Sequence, residues 1–99
     1  MGTNRMRPVH PGEILREEYL AELGMSVNAL AKALKVPTPR INDVVRGRRG
    51  VSADTALRLA RYLGTTPEFW LNLQATHDLR VAEESSGKRI AREIRPKAA

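Results

Sequence analysis

The chain has 99 residues, of which 41% are hydrophobic and 28% are charged, with a net charge of +6. A chain of this length is expected to form one small domain. It contains no cysteine, which excludes disulfide bonds, thiolate catalysis and most zinc sites and favours a cytoplasmic location. No apolar run approaches the roughly 20 residues of a membrane span, and the N-terminus lacks the apolar centre of a signal peptide.

The N-terminal segment leads into an acidic helix. Residues 1–10 are polar and basic and are expected to form a flexible arm. Pro11 is a favourable first residue for a helix over about residues 12–23. One face of this helix is apolar and comprises Leu15, Tyr19, Leu20 and Leu23. Its flanks carry Glu13, Glu17, Glu18 and Glu22. Charged faces are usually solvated, but in a basic protein this helix is also a candidate contact for a basic partner.

Residues 26–47 have the pattern of two short helices joined by a tight turn. Ser26 is a good N-cap for the first helix, and Pro37 disfavours helix at the residue before it. Thr38 and Pro39 are predicted to start the second helix as its cap and first residue. The inward faces of the two helices comprise Leu30, Ala31, Leu34, Ile41, Val44 and Val45. This is a helix-turn-helix pattern, in which the second helix enters the DNA major groove.

The outward side chains of the second helix carry the chemical groups that read base edges. Base reading is predicted for Thr38, Pro39, Arg40, Asn42, Asp43 and Arg46. Phosphate contacts are predicted for Ser26, Asn28, Arg48 and Arg49. Residues 35–61 carry seven Lys/Arg against two acids, so nearly all of the net charge lies on and beside this helix. Such a distribution favours DNA binding over the alternative, a helical hairpin with a solvated polar face.

Two further helices are predicted after the basic turn. Ser52 caps a helix that ends near Leu63, with Ala56, Leu59, Ala60 and Leu63 facing inward. Thr66 and Pro67 open the longest helix, over about residues 67–84. Trp70 is interpreted as a core residue because a tryptophan buries a large area.

The C-terminal end of the chain is predicted to make a homodimer. Ser85, Ser86 and Gly87 form an expected break, after which residues 85–99 are a basic tail of either helix or strand. The predicted dimerisation residues are Leu71, Leu79, Val81, Ile90 and Ile94. They exceed what a compact domain ending near residue 75 can bury. Two-fold symmetry would place the two reading helices about 34 Å apart, one turn of DNA.

The ordered motifs resemble the HigA (VapI-type) antitoxins of the Xre/lambda-repressor-like helix-turn-helix superfamily. The resemblance covers about residues 7–82 and is carried by RPVHPGEILREEYL, LGMS, VPTPRINDVVRGRRGVSADTALRLARYLGT and PEFWLNLQATHDL. It implies an all-α, five-helix domain, here residues 11–84, that dimerises and binds a palindromic operator upstream of its own operon. Lys35 departs from the pattern, because the superfamily usually places glycine there to allow a positive φ.

The resemblance also implies a protein partner, a HigB-type toxin that is a small basic endoribonuclease cutting mRNA on the ribosome. A ribonuclease must be basic to hold RNA, so its inhibitor needs acids that the DNA face does not use. The N-terminal helix is the densest acidic element of the chain. Toxin binding is therefore predicted for Glu13, Ile14, Glu17, Glu18 and Tyr19.

Two other functions are alternatives to this one. A stand-alone Xre-family repressor would share the DNA chemistry and lack a toxin. An enzyme is disfavoured, because the chain has two histidines, no cysteine, no Gly-rich phosphate loop and no H-E-x-x-H spacing. Glu13 and His10, beside a proline turn, are better interpreted as a helix cap and a solvated ring than as metal ligands. No cofactor is expected.

Overall fold

The computed structural model describes residues 7–98, which contain five helices and no β-strand. Helix α1 runs continuously from Pro11 to Leu23, with α-helical turns at Pro11–Ile14 and Ala21–Leu23 and π-helical turns at Leu15–Leu20. The others are α2 (Val27–Leu34), α3 (Thr38–Val45), α4 (Ala53–Leu63) and α5 (Pro67–Glu93). The predicted all-α, five-helix fold is confirmed. Most of the expected N-terminal arm lies outside the described residues.

None of the described helices combines the length and the apolar character that crossing a membrane requires.

The π-helical turns of α1 change which of its residues face the core. A π turn holds one more residue than an α turn, and the Ala21 N–H accordingly donates to the Arg16 carbonyl. Residues beyond the turn are therefore rotated away from the face that an α-helix would give them. Leu15 and Leu20 are buried as predicted, but Leu23 is 57% exposed, and its predicted place in the core is wrong.

The helix caps follow the sequence signals with one exception. The side-chain oxygens of Ser26, Ser52 and Thr66 each accept a backbone N–H from the first turn that follows. The predicted cap at Thr38 is wrong, because Pro37 is the extended N-cap residue and Thr38 is the first helical residue. The Thr38 hydroxyl instead donates to Asn28 Oδ1 at 2.6 Å, which ties the start of α3 to α2.

Lys35 ends α2 in the left-handed conformation, with a φ of 63°. This is the position at which the superfamily usually has glycine. The Lys35 N–H donates to the Lys32 carbonyl and the Val36 N–H to the Ala31 carbonyl, which satisfies two of the last carbonyls of the helix. A lysine here costs about 1 kcal/mol relative to glycine, and the turn between α2 and α3 closes despite that cost.

Helix α5 continues through the expected break at residues 85–87 and ends at Glu93, so the predicted break is wrong and the start of the tail is helical. Glycine inside a helix costs only about 1 kcal/mol, which neighbouring turns can offset. The Ser85 hydroxyl is satisfied within the helix by the Ala82 carbonyl, at 3.4 Å. One turn further on, Arg89 and Glu93 form an i,i+4 ion pair at 3.5 Å.

The core lies among the five helices and is closed by Trp70. Its buried hydrophobic residues are Leu15, Leu20, Leu30, Ala31, Leu34, Ile41, Val44, Val45, Val51, Ala56, Leu59, Ala60 and Trp70. Trp70 is fully buried, as predicted, and its indole N–H donates to Thr65 Oγ1 at 2.7 Å. The ring centroids of Tyr19 and Phe69 lie 5.4 and 5.0 Å from that of Trp70. The indole therefore fills the core while its polar atom is satisfied.

Gly12 allows the first turn of α1 to pack against the last turn of α3. A Cβ atom built at Gly12 would lie 1.8 Å from the Val44 carbonyl oxygen, a backbone atom that cannot move without moving α3. Gly12 is buried at this crossing. The orientation of α3 on the rest of the domain therefore depends on the missing side chain.

We expect Gly12→Ala to lower the free energy of unfolding by about 2–3 kcal/mol, because overpacking of a rigid contact costs that much. Urea unfolding followed by circular dichroism measures this change. Gly87→Ala is the matched control, since a Cβ at this helical glycine has its nearest neighbour at 3.8 Å. It should stabilise the helix by up to about 1 kcal/mol. Equal effects of the two substitutions would contradict the close contact.

Candidate nucleic-acid interface

The helix-turn-helix consists of α2 and α3, with residues 35–37 as the turn between them. The inward residues of α3 are buried, namely Ile41, Val44 and Val45. All six predicted base-reading residues lie on the opposite side and are accessible: Pro39 and Arg46 are exposed, whereas Thr38, Arg40, Asn42 and Asp43 are half-buried. The burial pattern of α3 thus presents hydroxyl, amide, carboxylate and guanidinium groups together on one surface.

The N-terminal end of α2 lies beside this surface. Ser26 and Asn28, two predicted phosphate contacts, are both exposed there. The Ser26 hydroxyl oxygen accepts the Ala29 N–H at 3.0 Å, and the Asn28 side chain is fixed by the hydroxyl of Thr38. Because these polar groups sit at a helix N-terminus, they meet the positive end of the helix dipole and suit a phosphate anion.

Arg40 is held by an acid of α4. Its guanidinium donates to Asp54 Oδ2 at 2.7 Å, and Arg58 Nε donates to the same oxygen at 2.8 Å. Arg58 also donates to the carbonyl of Leu34, the last residue of α2, at 2.9 Å. These hydrogen bonds, first that of Arg58 and then that of Arg40, lower the pKa of Asp54. The network joins the end of α2, the start of α3 and the start of α4, so Arg40 supports the reading helix in addition to facing the solvent.

The basic turn after α3 is organised by Asp43. The backbone N–H groups of Arg48 and Arg49 donate to the Asp43 carbonyl at 2.8 and 3.2 Å. The Arg48 guanidinium also pairs with the Asp43 carboxylate at 3.4 Å. Both arginine side chains remain exposed beside the reading helix. Asp43, predicted only as a base reader, thus also holds the turn that carries the predicted phosphate contacts.

A cluster of polar side chains, which no sequence motif indicated, supports the far side of this turn. Gln74 Oε1 accepts the Val51 N–H at 2.7 Å, while its amide donates to Asp78 Oδ1 at 3.0 Å. Asp78 also pairs with His77 at 3.0 Å, and the His77 and His10 ring centroids lie 4.9 Å apart. The only sequence signal was the presence of Gln74, His77 and Asp78 at helical spacing in α5.

His10 links α1 to this cluster. Its Nδ1 accepts the Gly12 N–H at 2.8 Å, so His10 caps α1 and is half-buried, which corrects the expectation of a solvated ring. Burial, and then the neighbouring His77, lower the pKa of His10. Glu13 forms ion-paired hydrogen bonds of 2.9 and 3.0 Å with Arg7, which lower the pKa of Glu13. Within residues 7–98, no group of three or more His, Cys, Asp or Glu could hold a metal ion.

The predicted toxin contacts lie on α1, and the predicted dimerisation residues lie on α5 or directly after it. The predicted dimerisation residues are all exposed, and they are Leu71, Leu79, Val81, Ile90 and Ile94. Among the predicted toxin contacts, Glu17 and Glu18 are exposed, whereas Glu13, Ile14 and Tyr19 are half-buried. Arg16, on the same helix, is exposed and pairs with Glu17 at 3.0 Å.

We expect Asp54→Asn to remove an acid-sensitive part of the stability. A carboxylate with a lowered pKa stabilises the folded state above its ordinary value of 3.8, and this contribution is lost as the pH falls through the lower folded pKa. The difference in unfolding free energy between wild type and variant should therefore shrink below that ordinary value. It should also shrink at high salt, because the pair is exposed.

Urea unfolding from pH 6 to pH 2.5 tests this expectation. Glu84→Gln is the control, since this exposed acid of α5 lies outside the arginine network. A wild-type minus Asp54→Asn difference that stayed constant over the whole pH range would contradict the proposed role of the ion pairs.

Residues 15–70 match the profile of the Helix-turn-helix family. Virulence-associated protein I of Dichelobacter nodosus is 58% identical over 83 residues, which cover 84% of this chain and 77% of that protein. Antitoxin HigA-1 of Vibrio cholerae is 42% identical over 80 residues, covering 80% of this chain and 74% of that protein. The structure of the Pseudomonas aeruginosa antitoxin HigA with the higBA promoter superposes with a TM-score of 0.90 at 53% identity, covering 93% of this chain and all of that one.

Proposed function

This chain belongs to the HigA (VapI-type) family of helix-turn-helix antitoxins, and we propose that it is the antitoxin and autorepressor of a type II toxin–antitoxin operon. In this role it binds a palindromic operator upstream of its own operon and neutralises a HigB-type toxin. It acts in the cytoplasm, where the operator and the ribosome-dependent toxin are both found.

The accessible face of α3 beside the exposed basic turn is the observation that carries the DNA-binding part of the proposal. The P. aeruginosa HigA structure with the same fold contains the higBA promoter. In this chain, Asn42 and Arg46 offer an amide and a guanidinium for base edges, whereas Asp54 holds Arg40 and Arg58. Arg48 and Arg49 follow directly and suit phosphates, because an arginine that contacts the DNA backbone binds every DNA sequence alike.

We expect substitutions on the two parts of this surface to have different effects on DNA binding. Asn42→Ala or Arg46→Ala should reduce the preference for operator over scrambled duplex, because a good base contact is worth about 1–3 kcal/mol of discrimination. Arg48→Ala or Arg49→Ala should weaken both duplexes alike, and each should lower the salt slope by about 1.

Fluorescence anisotropy with both duplexes over a range of KCl concentrations measures these effects. Arg61→Ala is the control, because this exposed arginine lies near the end of α4 beside Tyr62. It should leave affinity and salt slope unchanged. An intact salt slope in the Arg48 and Arg49 variants would mean that the basic turn faces away from DNA.

The exposed apolar residues of α5 support the proposed homodimer. Leu79, Val81 and Ile90 lie on a part of the helix in which no side chain is buried within the chain. A palindromic site requires two reading helices related by a two-fold axis. A second copy packed along α5 would supply that axis and bury these side chains.

We expect Leu79→Gln and Ile90→Gln each to weaken self-association by about tenfold or more, since an apolar side chain buried at an interface centre contributes on that scale. Truncation after Glu84 measures how much the rest of α5 and the tail contribute to self-association. Ala91→Gln is the matched control, because this exposed residue neighbours Ile90 but points in a different direction around the helix. Sedimentation equilibrium reports the dimer constant, and an unchanged constant for all variants would remove α5 from the interface.

Binding of a toxin is the second part of the proposal. The candidate contacts on α1 remain Glu13, Ile14, Glu17, Glu18 and Tyr19, and a basic ribonuclease is the partner that their charge suits. The alternative is a stand-alone Xre-family repressor, which would bind the same operator. A neighbouring short reading frame whose basic product co-purifies with this chain distinguishes the antitoxin from that repressor.

A further inference from the structure

An apolar cleft lies between the second half of α1 and the end of α4. It has a volume of about 390 Å³ and is lined by Glu18, Tyr19, Glu22, Leu23, Tyr62 and Leu63. Two of these side chains are large and apolar yet open to solvent, since Leu23 is 57% and Tyr62 is 47% exposed. Exposed apolar side chains that share one concave surface commonly mark a site for a protein partner.

The walls of this cleft are fixed by the core. Tyr19 packs on the fully buried Trp70, with ring centroids 5.4 Å apart. The Tyr62 hydroxyl donates to the sulfur of Met25, in the loop between α1 and α2, at 3.9 Å. The π-helical turns of α1 place Leu23 outside the core, on the cleft side of the helix. A partner would therefore find a surface that is already ordered, which reduces the entropic cost of binding.

The charge on the cleft rim is acidic, although the chain carries a net charge of +6. Glu18 and Glu22 are exposed on the α1 side. On the other side of Tyr62 a second groove is lined by Leu57 and by two arginines, Arg58 and Arg61. Two neighbouring apolar grooves thus differ mainly in the sign of their charge, and only the α1 groove suits a basic partner.

We propose that this acidic cleft is where the HigB-type toxin docks, by inserting an apolar side chain that is flanked by Lys or Arg. The proposal rests on the proposed antitoxin function, and it locates the contact more closely than the sequence did. Glu13 is held by Arg7 and Ile14 is half-buried, so the centre of the contact lies nearer Glu18 and Leu23. Tyr62, which the sequence did not single out, forms the opposite wall.

The position of the cleft leaves the reading surface free. Asp54, at the start of α4, contacts the reading helix through Arg40. Tyr62 lies eight residues later in the same helix, which is about 12 Å further along its axis. A toxin seated against Tyr62 and Leu23 would therefore bind at the opposite end of α4 from the base-reading residues.

The two grooves provide a matched pair of substitutions. Leu23 and Leu57 are 57% and 59% exposed, so Leu23→Lys and Leu57→Lys make the same chemical change at equally exposed sites. Leu23→Lys should raise the Kd for the toxin by about tenfold or more, because it places a cation where an apolar contact and a basic partner meet. Leu57→Lys should leave it within about twofold, as expected for a residue outside the contact.

The probe is the toxin encoded in the same operon, carrying an inactivating substitution, with binding measured by interferometry on the full-length chain. Glu18→Lys with Glu22→Lys should slow toxin association by about tenfold at low salt while sparing operator binding. Glu83→Lys with Glu84→Lys, on the exposed surface of α5, is the control for the change in net charge.

Three outcomes would overturn the proposal. Equal loss of toxin affinity in Leu23→Lys and Leu57→Lys would mean that the cleft is not the contact. Weaker self-association of Leu23→Lys, with toxin affinity intact, would assign the cleft to a second copy of this chain, whose basic α5 end would be the occupant. Failure of the wild-type chain to bind the toxin at all would instead remove the antitoxin function, and the docking site with it.

Discussion

The backbone contact between Gly12 and Val44 is the constraint on which the reading surface depends. A Cβ atom at Gly12 would lie 1.8 Å from the Val44 carbonyl oxygen, so α1 and α3 can cross only at a glycine. His10 caps the same turn of α1, and its ring lies 3.8 Å from the Cβ position of Gly47, just beyond α3. The start of α1 therefore holds the end of the reading helix and its basic turn in one place. A change in this packed contact would alter the orientation of α3 and of every side chain on its outer face.

Local sequence signals identified most of the fold because they act within a few residues. A serine or threonine before a helix satisfies the first N–H groups wherever the helix packs, so Ser26, Ser52 and Thr66 were found correctly. The exposure of Leu23 could not be found in this way, because periodicity assumes an α-helix and α1 contains π-helical turns. The continuation of α5 was also missed, since serine and glycine only weakly oppose a helix.

The candidate site, like the fold, has features that the sequence predicts and features that only the packed structure determines. Which residues of α3 face outward followed from its helical period. That Arg40 is tied to Asp54 could not be deduced, because the two residues are fourteen positions apart and meet only through packing of α3 on α4. The same holds for Tyr62 opposite Leu23, which come from α4 and α1. Position in a helix predicts which side a residue faces, and only the packed structure determines which residue it meets.

Acidic and basic surfaces are separated by α4. Its first turn carries the acid that holds Arg40 and Arg58 beside the reading helix. Its last turn carries Tyr62, between the acidic cleft and the arginine-lined groove. The basic reading surface and the acidic cleft therefore lie at opposite ends of α4. Each surface can then attract a partner of opposite charge without being neutralised by the other.

Helix α5 contributes one buried residue, Trp70, and its whole second half lies outside the core. A helical segment of this length is marginal in water without packing. If two copies pair along α5 as proposed, the order of residues 81–93 would depend on how often one copy meets another. Scarce chains would fray at this end and become accessible to proteases, whereas abundant chains would pair and persist. The lifetime of the protein would then rise with its own abundance, which would make its level in the cell self-reinforcing.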